Sequence, residues 1–440
     1  MSRRTVSGQE CSSTKADFVC AARVPGGVNC RGNVHRNRIR SRSRGINFII
    51  VDSMITQNII RGKPMRKRKL WLLTIMSAAA LAFTGCGKGS DEQPSAVEEI
   101  EFNNIADNGN AEATEAVEQE SSEAATDEET RDGMYRSELT NEWIDESLKN
   151  QRPIAVMVDN EKTALPHYGL TDADVVYEIM NSTANGRITR LMAIVKDWGK
   201  ITQLGSVRST RPTNILLAAE WNAVLCHDGG PFYIDAYLSK NYAAHFSGTF
   251  SRVNNGKSRE FTEYICEGDL DKNFSNSNYT TEYNEFYPGE HYVFSNDEID
   301  LSDAEGAIDA KEIKLPFAHN GSTLKYNEST GTYDYYEYGK AHVDPGNGNA
   351  QLSFKNLLIQ DCTFTQLDDN GYLIYNCIDS GRTAYYVTNG KAIKVTWIKA
   401  SDTEPTIYLD NQTGEQIEMN TGKTYVTLVP SDSWDDLEIN

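Results

Sequence analysis

The stretch RPIAVMVDN (152–160) decides how the first half of the globular region folds. Behind Arg152-Pro153 it is an apolar, β-rich run that ends in Asp159 and Asn160. Three runs of the same type follow along the chain: ADVVYEIM (173–180), ITRLMAIV (188–195) and AVLCH (223–227). Their length and their content of Val, Ile and Tyr predict short strands.

Two segments in the same region carry helical signals. Pro212, followed by TNILLAAEW, has proline at a first helical position, and Ile215, Leu216 and Ala219 would face inward. FYIDAYLSKN (232–241) is a second candidate helix. Strands that alternate with helices predict a mixed α/β domain over residues 151–300.

The second half of the chain has a different pattern. Short Tyr-, Val-, Ile- and Thr-rich runs are separated by turn signals such as Asn370-Gly371 and Asn389-Gly390. KVTWIKA and TYVTLVP alternate cleanly, whereas SFKNLLIQ (353–360) could be a helical turn that leads into a strand. We therefore expect a β-rich antiparallel domain over 301–440 and, for the whole chain, the α+β class.

The N-terminal region predicts a lipoprotein. From Met65, four cations precede the apolar run LWLLTIMSAAALAF, which ends in Thr84-Gly85-Cys86. This run is too short to span a bilayer and suits a secretory signal, so 65–86 is interpreted as a signal peptide with Cys86 as the lipidated residue. Because a signal has to be N-terminal, residues 1–64 are interpreted as a start assigned too early or as a disordered basic arm.

Charge divides the remaining chain and limits its partners. The net charge of the 440 residues is −20, although the first 64 residues are rich in arginine. Residues 87–150 contain a long Glu-, Asp-, Ala- and Ser-rich stretch that predicts a disordered acidic tether. An acidic globular part argues against nucleic acid as a partner. The membrane, through the lipid anchor, and a cell-wall glycan, peptide or envelope protein remain as candidates.

The ordered motifs RPIAVMVDN, GLTDADVVYE, ITRLMAIV, GSVRSTRP and HDGG resemble the N-terminal domain of the YerB-like lipoprotein family. GKAHVDPGNGNAQLSFKNLLIQ, TNGKAIKVTWIK and NTGKTYVTLVP resemble the C-terminal domain of the same family. The resemblance covers nearly all of residues 150–430. It implies a two-part architecture and an extracytoplasmic location, and it carries no biochemical activity.

The best candidate ligand site is centred on Arg208 and Arg211, next to the N-terminus of the helix predicted from Pro212. Two guanidiniums there could bind a carboxylate or phosphate, or they could pair with acidic neighbours such as Asp174 and Glu178. His227, at the end of a strand, completes the candidate site. Glu178 and Arg190 are its supporting residues.

Two other chemistries are open. An envelope hydrolase with a site near Ser209 and His227 is the alternative function, although no Gly-x-Ser-x-Gly motif surrounds Ser209. His342 and Asp344 in HVDPGNG could hold a cation or simply form a turn. No cysteine spacing resembles a zinc site, so we expect no cofactor and no metal.

Cysteine spacing predicts one disulfide bond. Cys362 and Cys377 are equidistant from the centre of a four-residue loop at 368–371, so they would face each other across an antiparallel hairpin. A two-residue Asn-Gly turn would change this register. Two free thiols, packed as small apolar side chains, are the other outcome.

Overall fold

The computed structural model describes residues 130–440. Residues 1–64, the predicted signal peptide with Cys86, and residues 87–129 of the predicted tether lie outside the described residues. The rest of the predicted tether, 130–150, is not disordered, because it contains two paired strands, Met134–Arg136 and Trp143–Asp145. In the first half of the described chain, the strands are β1 (Met134–Arg136), β2 (Trp143–Asp145), β3 (Ile154–Asp159), β4 (Val175–Met180), β5 (Thr189–Val195), β6 (Gln203–Gly205), β7 (Val224–His227), β8 (His245–Ser247), β9 (Ser251–Arg252), β10 (Glu263–Cys266) and β11 (Val293–Phe294).

The same half contains the α-helices α1 (Pro212–Glu220), α2 (Asp235–Leu238) and α3 (Asp269–Ser275). The second half continues with β12 (Ile308–Asp309), β13 (Glu312–Lys314), β14 (Thr323–Asn327), β15 (Thr332–Glu337), β16 (Lys340–Ala341), β17 (Val343–Asp344), β18 (Ala350–Gln351), β19 (Ser353–Phe354), β20 (Asn356–Cys362), β21 (Phe364–Gln366), β22 (Leu373–Tyr375), β23 (Asp379–Thr388), β24 (Lys391–Lys399), β25 (Ile407–Asp410), β26 (Glu418–Met419), β27 (Thr424–Pro430) and β28 (Glu438–Ile439).

A mixed sheet of eleven strands runs through the described chain. Its order is β12-β24-β23-β20-β27-β4-β5-β3-β7-β8, with β25 beside β24. Strand β27, near the C-terminus, pairs in parallel with β4 on one side and with β20 on the other, and Glu178 of β4 lies opposite Thr427. Strands from both halves of the sequence therefore share one hydrogen-bonded sheet.

The predicted mixed α/β N-terminal domain is wrong, because residues 130–440 are mostly β, with 39% strand and 16% helix. The strands at 154–159, 175–180, 189–195 and 224–227 are present, but α1 is the longest α-helix among residues 130–440. The segment 232–241 contributes only a short 3-10 turn and the four residues of α2. Apolar runs of this kind occur in any strand that is covered on both faces, so they do not report whether helices connect them. Nor is the second half purely antiparallel, and 353–360 forms β19 and β20 without a helical turn.

Two apolar cores lie on opposite faces of the large sheet, because successive side chains of a strand point to opposite sides. On one face, Val156 of β3 belongs to the same core as Tyr333 and Phe354 of a six-stranded sheet, whose order is β16-β15-β14-β13-β28 with β19 beside β15. On the other face, Met157 belongs to a core with Ile215 of α1. No helix among residues 130–440 is long and apolar enough to cross a membrane.

A single carboxylate joins the two sheets. Glu178 of β4 is fully buried, and no lysine, arginine or histidine of the described chain forms an ion pair with it. It instead accepts hydrogen bonds from six uncharged donors. Oε1 accepts from Asn160 (3.3 Å), Thr189 (2.8 Å), Asn320 (2.8 Å) and Ser322 (2.7 Å), and Oε2 accepts from the hydroxyls of Tyr335 (2.9 Å) and Tyr425 (2.6 Å).

The four cysteines of the described residues, Cys226, Cys266, Cys362 and Cys377, are free thiols. Strands β21 and β22 pair in the register expected for a four-residue loop, with Phe364 opposite Tyr375, yet the Cys362–Cys377 disulfide is not formed. Both thiols are buried in the core on the α1 face. Burial raises the pKa of Cys377 to about 12 and that of Cys362 well above its usual range, which disfavours the thiolate that disulfide exchange requires.

We expect Glu178→Ala to lower the free energy of unfolding by at least about 4 kcal/mol, because it leaves several buried donors without an acceptor. Urea unfolding of the purified protein measures the loss. Glu328→Gln is the matched control, since Glu328 forms an exposed ion pair with Lys311 and its loss should cost less than about 0.5 kcal/mol. Equal effects of the two substitutions would contradict the role given to Glu178.

Candidate functional site

Three arginines converge on one cavity. Arg190 is the second residue of β5, Arg208 follows β6, and Arg211 lies at the N-cap position of α1, directly before Pro212. All three line a cavity of about 530 Å³. The amide of Arg208 donates to the carbonyl of Met157 (2.9 Å), which fixes the loop that carries Arg208 and Arg211 beside β3.

The guanidinium of Arg208 is held by two carboxylates. Its Nε lies 2.7 Å from Oδ2 of Asp159, although the N–H direction is not aligned for a hydrogen bond, and its Nη2 donates to Glu260 (2.5 Å). Asp159 is buried, and Glu260 is exposed. These two carboxylates partly neutralise the charge of Arg208.

The guanidiniums of Arg190 and Arg211 have no such partner. Nη1 of Arg190 donates to the carbonyl of Ser209 (2.5 Å), and Nη1 of Arg211 donates to the carbonyl of Thr210 (2.8 Å). Within residues 130–440, no carboxylate oxygen lies within ion-pair distance of either guanidinium, and the Nε of each has no hydrogen-bond partner. Both arginines are nevertheless buried, with exposed fractions of 6% and 7%.

Two buried guanidiniums of the same charge lower the stability of the folded protein. Burial lowers the pKa of Arg190 to about 10 and that of Arg211 to about 9. The charges of Arg190 and Arg208 lower the pKa of Arg211 further, whereas Asp159, although it forms no ion pair with either arginine, raises the pKa of both. The aromatic ring of Tyr372, 4.7 Å from the guanidinium carbon of Arg211, offsets part of this cost through a cation–π contact. Two buried cations without anionic partners favour a bound anion.

The rest of the cavity wall is polar, and the side chains at its edge carry negative charge. Glu161 and Asp369 lie where solvent reaches the wall, and Asn181 is buried, with a side-chain oxygen that has no partner in the described chain. The wall thus combines deep cations, an amide and peripheral carboxylates. Such an arrangement suits a ligand that carries both signs of charge.

The other predicted site residues lie elsewhere. Glu178 is enclosed between the two sheets and does not line the cavity. His227 places Nδ1 2.8 Å from the carbonyl of Gly229 and Nε2 3.1 Å from Nδ1 of His245. Because both ring nitrogens are engaged there, His227 is not arranged to activate Ser209. In HVDPGNG, Asp344 accepts hydrogen bonds from Thr171 and Gly346, which is the role of a turn residue.

The structure also brings together three potential metal ligands that the sequence did not indicate as a group. His167, from the loop before Leu170, lies with Glu337 at the end of β15 and His342 after β16. A potential metal-ligating atom of each residue is within 4.8 Å of those of the other two. Burial lowers the pKa of both imidazoles to about 4 and raises that of Glu337 to about 7. Of these three residues, the sequence indicates only His342 as a cation ligand, there paired with Asp344, because nothing local in the sequence links His342 to His167.

Comparisons with known proteins find two matching family segments. Residues 139–280 match the family described as protein of unknown function (DUF3048) N-terminal domain, and residues 313–426 match the DUF3048 C-terminal domain. A protein of Bacillus subtilis (strain 168) that carries the name lipoprotein YerB is 23% identical over 309 residues, which are 67% of this chain and 86% of that protein.

The fold is also similar to a solved structure. The crystal structure of the YerB protein from Bacillus subtilis matches with a TM-score of 0.59 at 20% identity, over 69% of this chain and 99% of that chain. The two domain matches, the relative and the solved structure together confirm the resemblance that the sequence motifs indicated. This chain belongs to the YerB-like two-part family of DUF3048 lipoproteins, whose function is not known.

Proposed function

We propose that this chain is a lipid-anchored protein on the outer face of the bacterial cytoplasmic membrane, and that it binds a carboxylate-bearing peptide of the cell envelope in the cavity of Arg190, Arg208 and Arg211. The observation that carries the proposal is the burial of Arg190 and Arg211 without any carboxylate partner in the described chain. A folded protein bears this cost where a ligand supplies the missing charge.

Several features favour a peptide carboxylate over a polyphosphate. The protein is strongly acidic, with a net charge of −20, and Glu161 and Asp369 at the cavity edge would repel a ligand of high negative charge. The same two carboxylates would attract an ammonium group of a zwitterionic peptide. Asn181 offers an amide to a peptide group. One carboxylate can accept parallel hydrogen bonds from a guanidinium, which gives the contact its direction.

Calorimetric titration with a soluble cell-wall peptide tests the proposal, when it is compared with the same peptide amidated at its C-terminus. We expect Arg190→Gln and Arg211→Gln each to weaken binding of the free carboxylate by roughly 10- to 100-fold, because each removes a charge-assisted hydrogen bond. The unmodified protein should bind the free carboxylate more tightly than the amide, and this difference in affinity should be smaller in both variants.

Arg382→Gln is the matched control, because Arg382 already pairs with Asp361 (2.6 Å) away from this cavity. It should bind the peptide as the unmodified protein does. Equal affinity of the unmodified protein for the carboxylate and amide forms would exclude carboxylate recognition. If the protein binds inorganic phosphate more strongly than the peptide, the ligand is a different anion and the proposed peptide is wrong.

The same site carries a stability prediction. Arg211→Met should leave the free energy of unfolding unchanged or raise it by up to about 2 kcal/mol, since it removes a buried charge that has no ion-pair partner. Lys399→Met is the contrast. Lys399 lies 3.0 Å from Glu220 and both are fully buried, so its loss leaves an uncompensated carboxylate and should cost about 3 kcal/mol. Chemical denaturation measures both; a large loss in Arg211→Met would make Arg211 a structural residue.

The lipid anchor has its own test. Mass spectrometry of the membrane fraction should find a chain that begins at Cys86 and carries a diacylglyceryl group. Cys86→Ser should release the protein into the soluble fraction, because thioether lipidation requires the thiol. Cys266→Ser, which changes a partly exposed thiol of the folded region, should leave the protein in the membrane fraction. Retention of the Cys86→Ser variant would show that another segment holds the protein there.

A further inference from the structure

The cluster of His167, Glu337 and His342 has the composition of a metal site. The exposed fractions of the three residues are 0%, 2% and 4%, so they are removed from bulk water. They come from segments separated by about 170 residues in the sequence, and they meet only in the folded protein. Neutral imidazole and carboxylate are ligands that zinc and related divalent ions share.

Each of the three side chains has a buried polar atom without a partner. Within the described chain, Nδ1 of His167, Oε2 of Glu337 and Nε2 of His342 have no hydrogen-bond partner. Buried polar atoms are almost always satisfied, so three unsatisfied atoms in one cluster require an explanation. A cation bound by Nδ1 of His167 accounts for the first atom, and a carboxylate that binds the cation through both oxygens accounts for the second. Nδ1 of His342, which faces Oε1 of Glu337, is then the third ligand, and Nε2 of that ring carries the proton.

The orientation of His167 supports this explanation. Its Nε2 lies 2.6 Å from the carbonyl oxygen of Asp159, which can only accept, so Nε2 carries the proton. The lone pair is therefore on Nδ1, and Nδ1 lies 3.9 Å from Oε1 of Glu337. Metal-bound histidines characteristically donate their other ring N–H to a carbonyl or carboxylate, which fixes the ring orientation. Asp159 has that supporting position here.

The spacing of the ligand atoms also suits one ion. Nδ1 of His342 lies 3.0 Å from Oε1 of Glu337, and Nδ1 of His167 lies 3.9 Å from the same oxygen. Ligands bound tetrahedrally at about 2.0–2.1 Å are about 3.3 Å apart, which falls between these two distances. Small side-chain shifts would bring the three atoms onto a common centre.

The cluster is open on one side. The three residues line a cavity of about 340 Å³ together with Leu165, Tyr338 and other residues. Three protein ligands leave a tetrahedral ion with one further position, and catalytic zinc sites have this feature. A water molecule or a small ligand could reach that position from the cavity, while Lys162 and Lys340 on its wall favour an anionic group.

We propose that His167, Glu337 and His342 bind one divalent transition-metal ion, zinc being the best match to two nitrogens and one oxygen, with its remaining coordination position facing the cavity. The inference is independent of the arginine cavity, because none of these three residues lines that cavity.

Equilibrium competition for zinc against a chromophoric chelator tests the inference on the purified full chain. We expect one zinc ion per chain, and a loss of affinity of at least about 100-fold in each of His167→Gln, Glu337→Gln and His342→Gln, since each removes a direct ligand. The apparent Tm of the unmodified protein should rise with added zinc, and that rise should vanish in the variants.

His291→Gln is the matched control. His291 is also buried, and its Nε2 has no partner among the described residues, but its ring stacks on Trp221 and no second histidine joins it. This variant should bind zinc as the unmodified protein does. The acidic segment 87–133 provides a competing place for cations, and binding there would survive all three ligand substitutions.

Anomalous diffraction at the zinc edge locates the ion without relying on the variants. A peak among His167, Glu337 and His342 supports the inference even if a variant fails to fold. Absence of stoichiometric zinc, or affinity that all three ligand variants retain, overturns it. In that case, the contact between His342 and Glu337 is only a buried hydrogen bond.

Discussion

The buried carboxylate of Glu178 is the constraint on which the rest of the structure depends. A buried carboxyl group without a cation nearby is tolerated only when hydrogen bonds replace the lost hydration. Six donors provide them, and they come from the ends of β3 and β5, the segment before β14, and strands β15 and β27. Because the donors come from both halves of the chain, neither half can satisfy Glu178 alone. The two domains of the family therefore meet around one polar centre.

The residues around Glu178 also position the two candidate sites. Asn160 donates to Glu178, and the residue before it, Asp159, directs its carbonyl to His167 and its carboxylate to Arg208. Thr189 precedes Arg190, and Tyr335 lies two residues before Glu337, on the same face of β15. The satisfied network thus fixes the backbone from which both less satisfied clusters project. Rigid support of this kind is what a precise binding site needs.

Buried charges in the described chain are of two kinds, those with an ion-pair partner and those without one. Glu220 and Lys399 form an ion pair that is completed by Tyr177 and Thr406, and every partner is in place. Arg190 and Arg211 are buried to a similar degree. Each donates a hydrogen bond only to a backbone carbonyl, and Arg211 also contacts the ring of Tyr372. Folding alone does not stabilise the second arrangement, and this contrast is the reason why we propose the arginine cavity as a ligand site.

The sequence by itself determined what depends on neighbours along the chain: most strand positions, the start of α1 at Pro212, and the proximity of Arg208 to Arg211. These follow from local hydrophobicity, turn residues and helix geometry. The sequence did not reveal that β27 pairs with β4, that Glu178 lies outside the arginine cavity, or that His167 meets Glu337 and His342. Those contacts join residues that are far apart in the sequence, and no local pattern specifies which strands will pair. Only the tertiary structure decided them, because burying both faces of one large sheet brings distant segments together.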